Sequence, residues 1–457
     1  MSITTVHDPI FSRLQSALHH ALSKRATAAG LDPTDAAAPS AELSSGHPAM
    51  QAVATLGNAQ VEGGPVQQGV APSGSVDVEG ARLSWQYVQA RWDGNQPLAQ
   101  QIHDELKFSS CDPLWSEVIV AYEEFVHSGN VIPYIALQPG AGVIPVPAAL
   151  KVALLADWGT GTGTALNVLA QAMAMEPDMI VHLGDVYYSG TPTEQQQYFY
   201  QPMQAAIQKA GKTMGTAPGD VRVFTTPGNH DMYSGGAGFY SVIKQIGQPA
   251  SYFCLQSDDW QVICLDTGYN DRDPSTVSSN ITSLTPDQVV WLNALMANAG
   301  SRRTILLSHH QLFSGASDVG QSKVGSKTVN WGINPLLYSQ LQALLDRVTV
   351  WIWGHEHNTV VFKPQPGLPL GRCIGSAAIP EMVIQAPYTT DTTLQGVDGI
   401  PVPTMDLTYT LGNNGTEFNH GFAMLSLSGA SATVTYYQVP YLAAAEQLGP
   451  AETFPKL

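Results

Sequence analysis

The stretch WIWGHEHNTV, residues 351–360, places His355 and His357 on either side of Glu356, directly after an apolar run. Such a run of aromatic and β-branched residues is typical of a buried strand. Burying an unpaired imidazole costs free energy. The two histidines therefore either occupy an ordinary turn or act as nitrogen ligands at the end of the strand, and the neighbouring segments have to decide between these alternatives.

Short apolar runs of the same kind lie upstream of this stretch, and helix-like segments such as ALNVLAQAMAM separate them. The runs are KVALLA (151–156), MIVHLG (179–184), VRVFTT (221–226), QVICLD (261–266), RTILLS (303–308) and VTVWIW (348–353). Strands that alternate with helices predict an α/β architecture. Asp266, at the end of its run, is expected to be a turn residue.

Oxygen or nitrogen donors follow most of these runs. They are Asp157, Asp185, the pair Asn229-His230, the pair His309-His310, and His355 with His357. Because ligands of α/β sheets bind at the carboxyl ends of the strands, we expect these side chains to converge. They are too many for one ion, and two ions about 3.5–4 Å apart that share a bridging carboxylate would use them all. Mixed oxygen and nitrogen donors favour zinc, iron or manganese over calcium or magnesium.

Five sequence blocks contain these donors, in order, over roughly residues 150–440. The blocks are Asp157-Trp158-Gly159, Gly184-Asp185-Val186-Tyr187-Tyr188, Gly228-Asn229-His230-Asp231, Leu306-Leu307-Ser308-His309 and Gly354-His355-Glu356-His357. The ordered set resembles the calcineurin-like metallophosphoesterases. Gly159 in the first block, combined with Tyr188 in the second, is similar to the purple acid phosphatase branch. The resemblance implies a β-sandwich flanked by helices in βαβ units.

The resemblance also implies a role for each site residue. The metal ligands would be Asp157, Asp185, Tyr188, Asn229, His309, His355 and His357, with Asp185 bridging the two ions. His230 would be the catalytic residue, and His230, Asn229 and His310 would contact the substrate. The choice between His309 and His310 as ligand stays open; alignment with the fourth block favours His309, with His310 facing outward. Tyr188 could instead be a structural tyrosine beside the site.

The implied activity is hydrolysis of a phosphoric ester, with a metal-bound hydroxide attacking phosphorus. Two cofactor sets fit the resemblance: Fe(3+) with a divalent zinc, iron or manganese ion, or two divalent manganese or zinc ions. A phosphomonoesterase is the first expectation, and a phosphodiesterase acting on nucleotides or lipid headgroups is the alternative. A metal-binding scaffold without catalysis is a third. The loops 189–215, 232–250, 311–330 and 376–418 are expected to shape the pocket.

The residue composition and the hydrophobic pattern along the chain predict its domain organisation. We expect an N-terminal extension over residues 1–145, helical with a flexible segment at 30–80, then a catalytic domain over 146–445 and a C-terminal tail over 446–457. The chain has 20 Lys and Arg against 37 Asp and Glu, a net charge of −17. Nucleic acid is therefore not expected as a partner, whereas a small phosphate ester is.

The start of the chain lacks an apolar segment of the kind found in secretory signals. We therefore expect a cytoplasmic protein that does not act at a membrane; a longer natural precursor would instead make it secreted or periplasmic. The sequence makes no prediction of the oligomeric state.

Overall fold

The computed structural model describes residues 115–276, 279–415, 417–440 and 443–454. Most of the predicted N-terminal extension, including its segment 30–80, lies outside this range. The chain divides into two compact units, Met1–Asn130 and Val131–Leu457. The described part of the first unit contains the helix α1 (Trp115–Ser128). None of the described helices is both long and apolar enough to cross a bilayer.

The second unit contains short strands and helices in alternation. The helices are α2 (Gly163–Ala174), α3 (Pro192–Glu194), α4 (Gln201–Lys209), α5 (His230–Tyr233), α6 (Ala237–Gln245), α7 (Pro286–Ala297) and α8 (Pro335–Leu341), with a π-helical segment, Gln195–Tyr200, joining α3 to α4. The strands are β1 (Val143–Pro145), β2 (Ala149–Leu155), β3 (Met179–His182), β4 (Arg222–Thr225), β5 (Phe253–Gln256), β6 (Trp260–Cys264), β7 (Arg303–Leu307), β8 (Gln321–Val324), β9 (Lys327–Asn330), β10 (Val348–Trp353), β11 (Thr359–Val361), β12 (Leu370–Ile374), β13 (His420–Ser428), β14 (Ser431–Val439), β15 (Glu446–Gln447) and β16 (Glu452–Phe454).

These strands form two large sheets and a separate β8–β9 hairpin. The first sheet has the order β1-β5-β6-β7-β10-β12-β11, and the second has the order β15-β14-β13-β2-β3-β4, with β16 also paired to β14. Strands β6, β7, β10 and β12 run parallel in the first sheet, and β2, β3 and β4 run parallel in the second. Parallel strands end at the same edge of a sheet, so the polar residues that follow them lie close together.

The two sheets pack face to face, and helices cover their outer faces. Alternate residues of one strand point to opposite faces. In β10, Val350 and Ile352 enter the core between the sheets, whereas Trp351 packs on the outer face with Trp291 of α7. The second sheet has the same construction, with Leu169 of α2 in its outer layer. The predicted helix-flanked β-sandwich is confirmed.

The two ends of the compact second unit lie near the domain boundaries that the sequence predicts. The compact second unit begins at Val131 rather than at residue 146. Part of the predicted tail, residues 446–457, forms β15 and β16, which pair with β14. Glu452 of β16 receives two hydrogen bonds of 2.6 Å from the buried Arg372 of β12, so an ion pair fixes the segment to the domain. Strands of two or three residues are too short to give a periodic signal in the sequence.

Asp266 lies in a turn after β6, as expected. It is buried, and its Oδ1 atom accepts a hydrogen bond of 2.9 Å from the main-chain N–H of Tyr269. Burial raises the pKa of Asp266 from 3.8 to about 6, although hydrogen bonds from Ser251, Tyr269 and Gly268 oppose the increase. Ionising this carboxyl is therefore harder in the folded chain than in the unfolded chain, which makes the folded state less stable above about pH 6.

The variant Asp266→Asn should therefore stabilise the protein at pH 8, by up to about 3 kcal/mol, because it removes the free energy of ionising a buried carboxyl. Well below the unfolded pKa of 3.8 the carboxyl is protonated in both states, so the difference should approach zero there. Urea unfolding of both proteins at several pH values from about 3 to 8 measures it. A stability difference that does not change with pH would contradict the assignment.

Candidate metal centre

The polar residues that follow five parallel strands meet at one edge of the sandwich. Asp157 follows β2, Asp185 follows β3 and Asn229 follows β4; His309 follows β7, and His355 and His357 follow β10. Their exposed fractions lie between 0% and 7%. The second sheet thus supplies the carboxylates and the amide, and the first sheet supplies the imidazoles. The structure brings these predicted residues together.

One group of donors surrounds Asp157. The Nε2 atom of His357 lies 3.6 Å from Asp157 Oδ1. The hydroxyl of Tyr187 lies 3.0 Å from the same oxygen and 3.0 Å from His357 Nε2. His357 Nδ1 is buried and has no hydrogen-bond partner among the described residues. Two protein oxygens and an imidazole nitrogen therefore lie within contact distance of one another in a buried site.

The tyrosine of this group is Tyr187, whereas the sequence blocks predicted Tyr188. Tyr188 contacts its surroundings through its main chain: its N–H donates to Glu194 Oε1 at 2.6 Å, and its carbonyl accepts a hydrogen bond from His230 Nδ1 at 2.6 Å. These residues follow β3 in a turn, where side chains do not alternate as they do in a strand. Motif spacing alone therefore does not fix which of the two adjacent phenols enters the site.

A second group of donors surrounds the Nε2 atom of His309. This atom lies 3.4 Å from Asp185 Oδ2, 3.2 Å from Asn229 Oδ1 and 3.2 Å from His355 Nδ1. The other ring nitrogen, Nδ1, donates to the carbonyl of Leu183 at 2.8 Å, which orients Nε2 toward these donors. Burial lowers the pKa of His309, but Asp185 and Asp157 outweigh it and raise the value to about 9. The two carboxylates thus favour a positive charge at the position where a cation would bind.

His310 does not face outward as predicted; it is 4% exposed. Its Nε2 atom lies 3.0 Å from Asp271 Oδ2, and its Nδ1 atom lies 3.0 Å from Thr267 Oγ1. Both ring nitrogens therefore have partners other than the carboxylates of the site. Although His310 lies close enough to His309 and His355 to form a three-histidine group, binding a metal would require it to lose one of these bonds. This geometry favours His309 as the ligand.

His230 lies beside Asp185. Its main-chain N–H donates to Asp185 Oδ1 at 3.0 Å, and its Nε2 atom lies 4.0 Å from Asp185 Oδ2. Because Nδ1 is directed to the Tyr188 carbonyl, Nε2 is the ring nitrogen on the side of the metal donors. Burial lowers the pKa of His230 even though Asp185 raises it. The neutral ring therefore predominates near neutral pH unless a further negative charge approaches.

The backbone at the site adopts left-handed conformations that side chains normally avoid. The φ angles are 56° at Asp157, 72° at Asp185 and 65° at His355. Two carboxylates hold these turns: Asp157 Oδ2 accepts from the N–H of His355, and Asp231 Oδ2 accepts from the N–H of Asp185, both at 2.8 Å. The sequence did not predict that Asp231 holds the turn at Asp185. Its position in the third block, next to His230, could have indicated a place in the site.

The donors fit metal ions. Oxygen and nitrogen atoms of Asp157, Asp185 and His309 lie within 4.8 Å of one another. Glycines make room for them: a Cβ atom on Gly228 would overlap Asp185 Oδ1, and one on Gly354 would lie 2.6 Å from Asp157 Oδ2. Buried carboxylates, imidazoles and an amide oxygen at this spacing form an environment that a cation would stabilise.

Comparison with known proteins finds a family that is similar to part of this chain. Residues 150–359 match the calcineurin-like phosphoesterase family, and none of the curated proteins matches the chain significantly. Similar solved structures include GAP50 of Plasmodium (13% identity, 66% of this chain and 89% of that chain, TM-score 0.37). A second is a Vps29 mutant of Entamoeba histolytica, with 11% identity over 67% of this chain and 99% of that chain and a TM-score of 0.29. A third is a putative 5'-nucleotidase of Staphylococcus aureus, with 11% identity over 67% of this chain and 54% of that chain and a TM-score of 0.31.

At these identities and scores, the likeness to the solved structures carries no information about function. The match over residues 150–359 spans β2 to β11 and includes the block residues from Asp157 to His357. This part of the chain is therefore similar to the calcineurin-like phosphoesterase family.

Proposed function

We propose that this domain hydrolyses phosphoric esters with two metal ions, and that phosphomonoesters are its first substrate class. The observation that carries the proposal is the position of Asp185. Its Oδ2 atom lies 3.4 Å from His309 Nε2, and one carboxylate oxygen of Asp185, one of Asp157 and a ring nitrogen of His309 lie within 4.8 Å of one another. A carboxylate between two donor groups can bridge two ions.

The two donor groups support a proposal of two metal positions. Asp157, Asp185, Tyr187 and His357 would hold the first ion; Asp185, Asn229, His309 and His355 would hold the second. When bound, the ions would neutralise phosphate charge and lower the pKa of a water molecule. We propose iron(III) with a divalent ion, or two divalent manganese or zinc ions, because the donors combine carboxylate, imidazole and phenol oxygen.

The chain's own groups orient these donors and the substrate. The amide nitrogen of Asn229 donates to the hydroxyl of Tyr233 at 2.6 Å, which turns Oδ1 of the amide toward His309. His230 is held by Tyr188 and packed between the rings of Tyr187 and Tyr233, with ring centroids 4.4 and 4.8 Å away. A phosphate group near His230 Nε2 would favour the protonated ring, which can then donate to the leaving oxygen.

One observation favours the second candidate, a phosphodiesterase. Besides the donors, Asp231 and Asp271 place buried carboxyl groups against Asp185 and His310. Glu381, which is buried near His357, adds another acidic group. A diester carries one negative charge and a monoester carries up to two, so the additional acidic side chains described at the site suit the diester better.

Hydrolysis assays test both candidates. We expect p-nitrophenyl phosphate, bis-p-nitrophenyl phosphate or both to be hydrolysed after addition of manganese, zinc or iron, and not after chelation. Asp185→Asn should reduce kcat/KM more than about 100-fold, because losing a metal ligand costs more than losing a group that only orients one. The matched control is Asp258→Asn, an exposed aspartate between β5 and β6. Metal binding without hydrolysis of either ester would instead indicate a scaffold.

The tyrosine of the first metal position can be identified directly. Tyr187→Phe should lower the affinity of one of the two metal positions, because it removes the phenol that contacts Asp157 and His357; Tyr188→Phe should have a smaller effect. Metal binding by equilibrium dialysis measures the affinities. If iron(III) is bound, a visible tyrosinate-to-iron absorption should disappear in Tyr187→Phe and persist in Tyr188→Phe. The opposite pattern would restore Tyr188 as the ligand.

The glycine in the third block offers a steric test. In Gly228→Ala the new methyl group would overlap Asp185 Oδ1, so the carboxylate must move. We expect metal affinity to fall by about 10-fold or more, in the range seen when ligand orientation is disturbed. Gly163→Ala, at the start of α2, meets no atom within 4 Å and serves as the control. Unchanged metal binding by Gly228→Ala would show that Asp185 does not have to occupy this position.

A further inference from the structure

The segment 266–283, which links β6 to α7, lies against the metal centre at two points. A Cβ atom on Gly268 would overlap the carbonyl oxygen of Gly228, so the two backbones are in direct contact there. Asp271 reaches the fourth sequence block and contacts His310. Asn280, of the same segment, donates to Asp271 Oδ1 at 2.6 Å and so fixes the carboxylate from its other side.

Hydrogen counting allows one arrangement for the neutral His310 ring. Thr267 Oγ1 accepts the main-chain N–H of His310 at 3.0 Å, so its single hydroxyl hydrogen is available to donate to His310 Nδ1, also at 3.0 Å. Nε2 then bears the ring proton and donates it to Asp271 Oδ2 at 3.0 Å. Both edges of the ring are held, and the ring cannot rotate without breaking two hydrogen bonds.

The fixed ring lies against both imidazoles of the second metal position. The ring centroids of His310 and His355 are 4.4 Å apart, and those of His310 and His309 are 4.8 Å apart with an interplanar angle of 88°. His309 Nε2 and His355 Nδ1 are themselves 3.2 Å apart. A side chain in this place limits how far either imidazole can turn away from a shared ion.

We propose that Asp271 is a positioning residue for the second metal position and acts through His310, with Thr267 holding the opposite edge of the same ring. The proposal rests on the proposed function only in requiring that the domain binds metal ions. The segment 266–283 thereby orients two ligands without contributing one. Residues that orient metal ligands typically change metal affinity or activity by about 10–100-fold when removed.

The experiment compares metal affinity between variants of the full chain, with zinc as the probe and equilibrium dialysis as the measurement. Asp271→Ala should weaken one of the two zinc positions by about 10–100-fold and leave the other within about threefold. Asp271→Asn keeps an oxygen that accepts from His310 Nε2, and should restore most of the affinity. Thr267→Val, which removes the bond to Nδ1 with little change of shape, should weaken the same position as Asp271→Ala.

The matched control is Asp273→Ala, a change of the same residue type two positions away; the Oδ1 atom of Asp273 accepts hydrogen bonds from the N–H and the hydroxyl of Ser275. Its zinc affinities should equal those of the wild type. Equal affinities in Asp271→Ala and wild type would overturn the proposal, as would equal weakening of both positions or no recovery in Asp271→Asn. If the wild type binds two zinc ions but hydrolyses no ester, the proposed function fails, whereas the affinity comparison still decides the role of Asp271.

Discussion

The structure depends on the burial of two carboxylates, Asp157 and Asp185, at the ends of neighbouring parallel strands. An ionised carboxylate removed from water is costly unless it is paired and hydrogen-bonded. Here the compensation comes from main-chain N–H groups, from the phenol of Tyr187 and from imidazoles. Burial raises the pKa of Asp185, but His309 and His230 outweigh it and bring the value well below its usual range. The same interaction keeps His309 protonated. A bound cation would replace that proton and satisfy the same charges.

This constraint explains why the site spans both sheets. The carboxylates and Asn229 follow strands of the second sheet, whereas His309, His355 and His357 follow strands of the first, so the donors meet only when the sandwich core is formed. The bond from the His355 N–H to Asp157 joins residues 198 positions apart. Left-handed residues cost about 1–3 kcal/mol each and persist only where the surroundings enforce them. Three of them are Asp157, Asp185 and His355, so the stability of the folded core offsets the conformational cost of orienting these side chains.

The sequence predicts the parts of this arrangement that depend on local pattern. Apolar runs of four to seven residues mark the strands, and a polar residue after each run marks the site because parallel strands end together. The choice between Tyr187 and Tyr188 is not accessible in this way, because it depends on the conformation of a turn. The partnership of Asp271 with His310 joins residues 39 positions apart through a segment without periodic pattern. The outward-facing His310 was a reasonable expectation from motif alignment, and its burial follows from this partner.

The two neighbouring histidines, His309 and His310, differ in their hydrogen-bond partners. These partners, rather than the position in the motif, decide which ring nitrogen is directed toward the other donors. His309 directs one nitrogen to the Leu183 carbonyl and leaves the other among carboxylate, amide and imidazole donors. His310 uses both nitrogens for Thr267 and Asp271. A metal ion needs an unshared electron pair directed toward it. His309 can offer one through Nε2, whereas both nitrogens of His310 are already hydrogen-bonded to other residues. The distinction follows from Thr267 and Asp271, which bind the two ring nitrogens of His310.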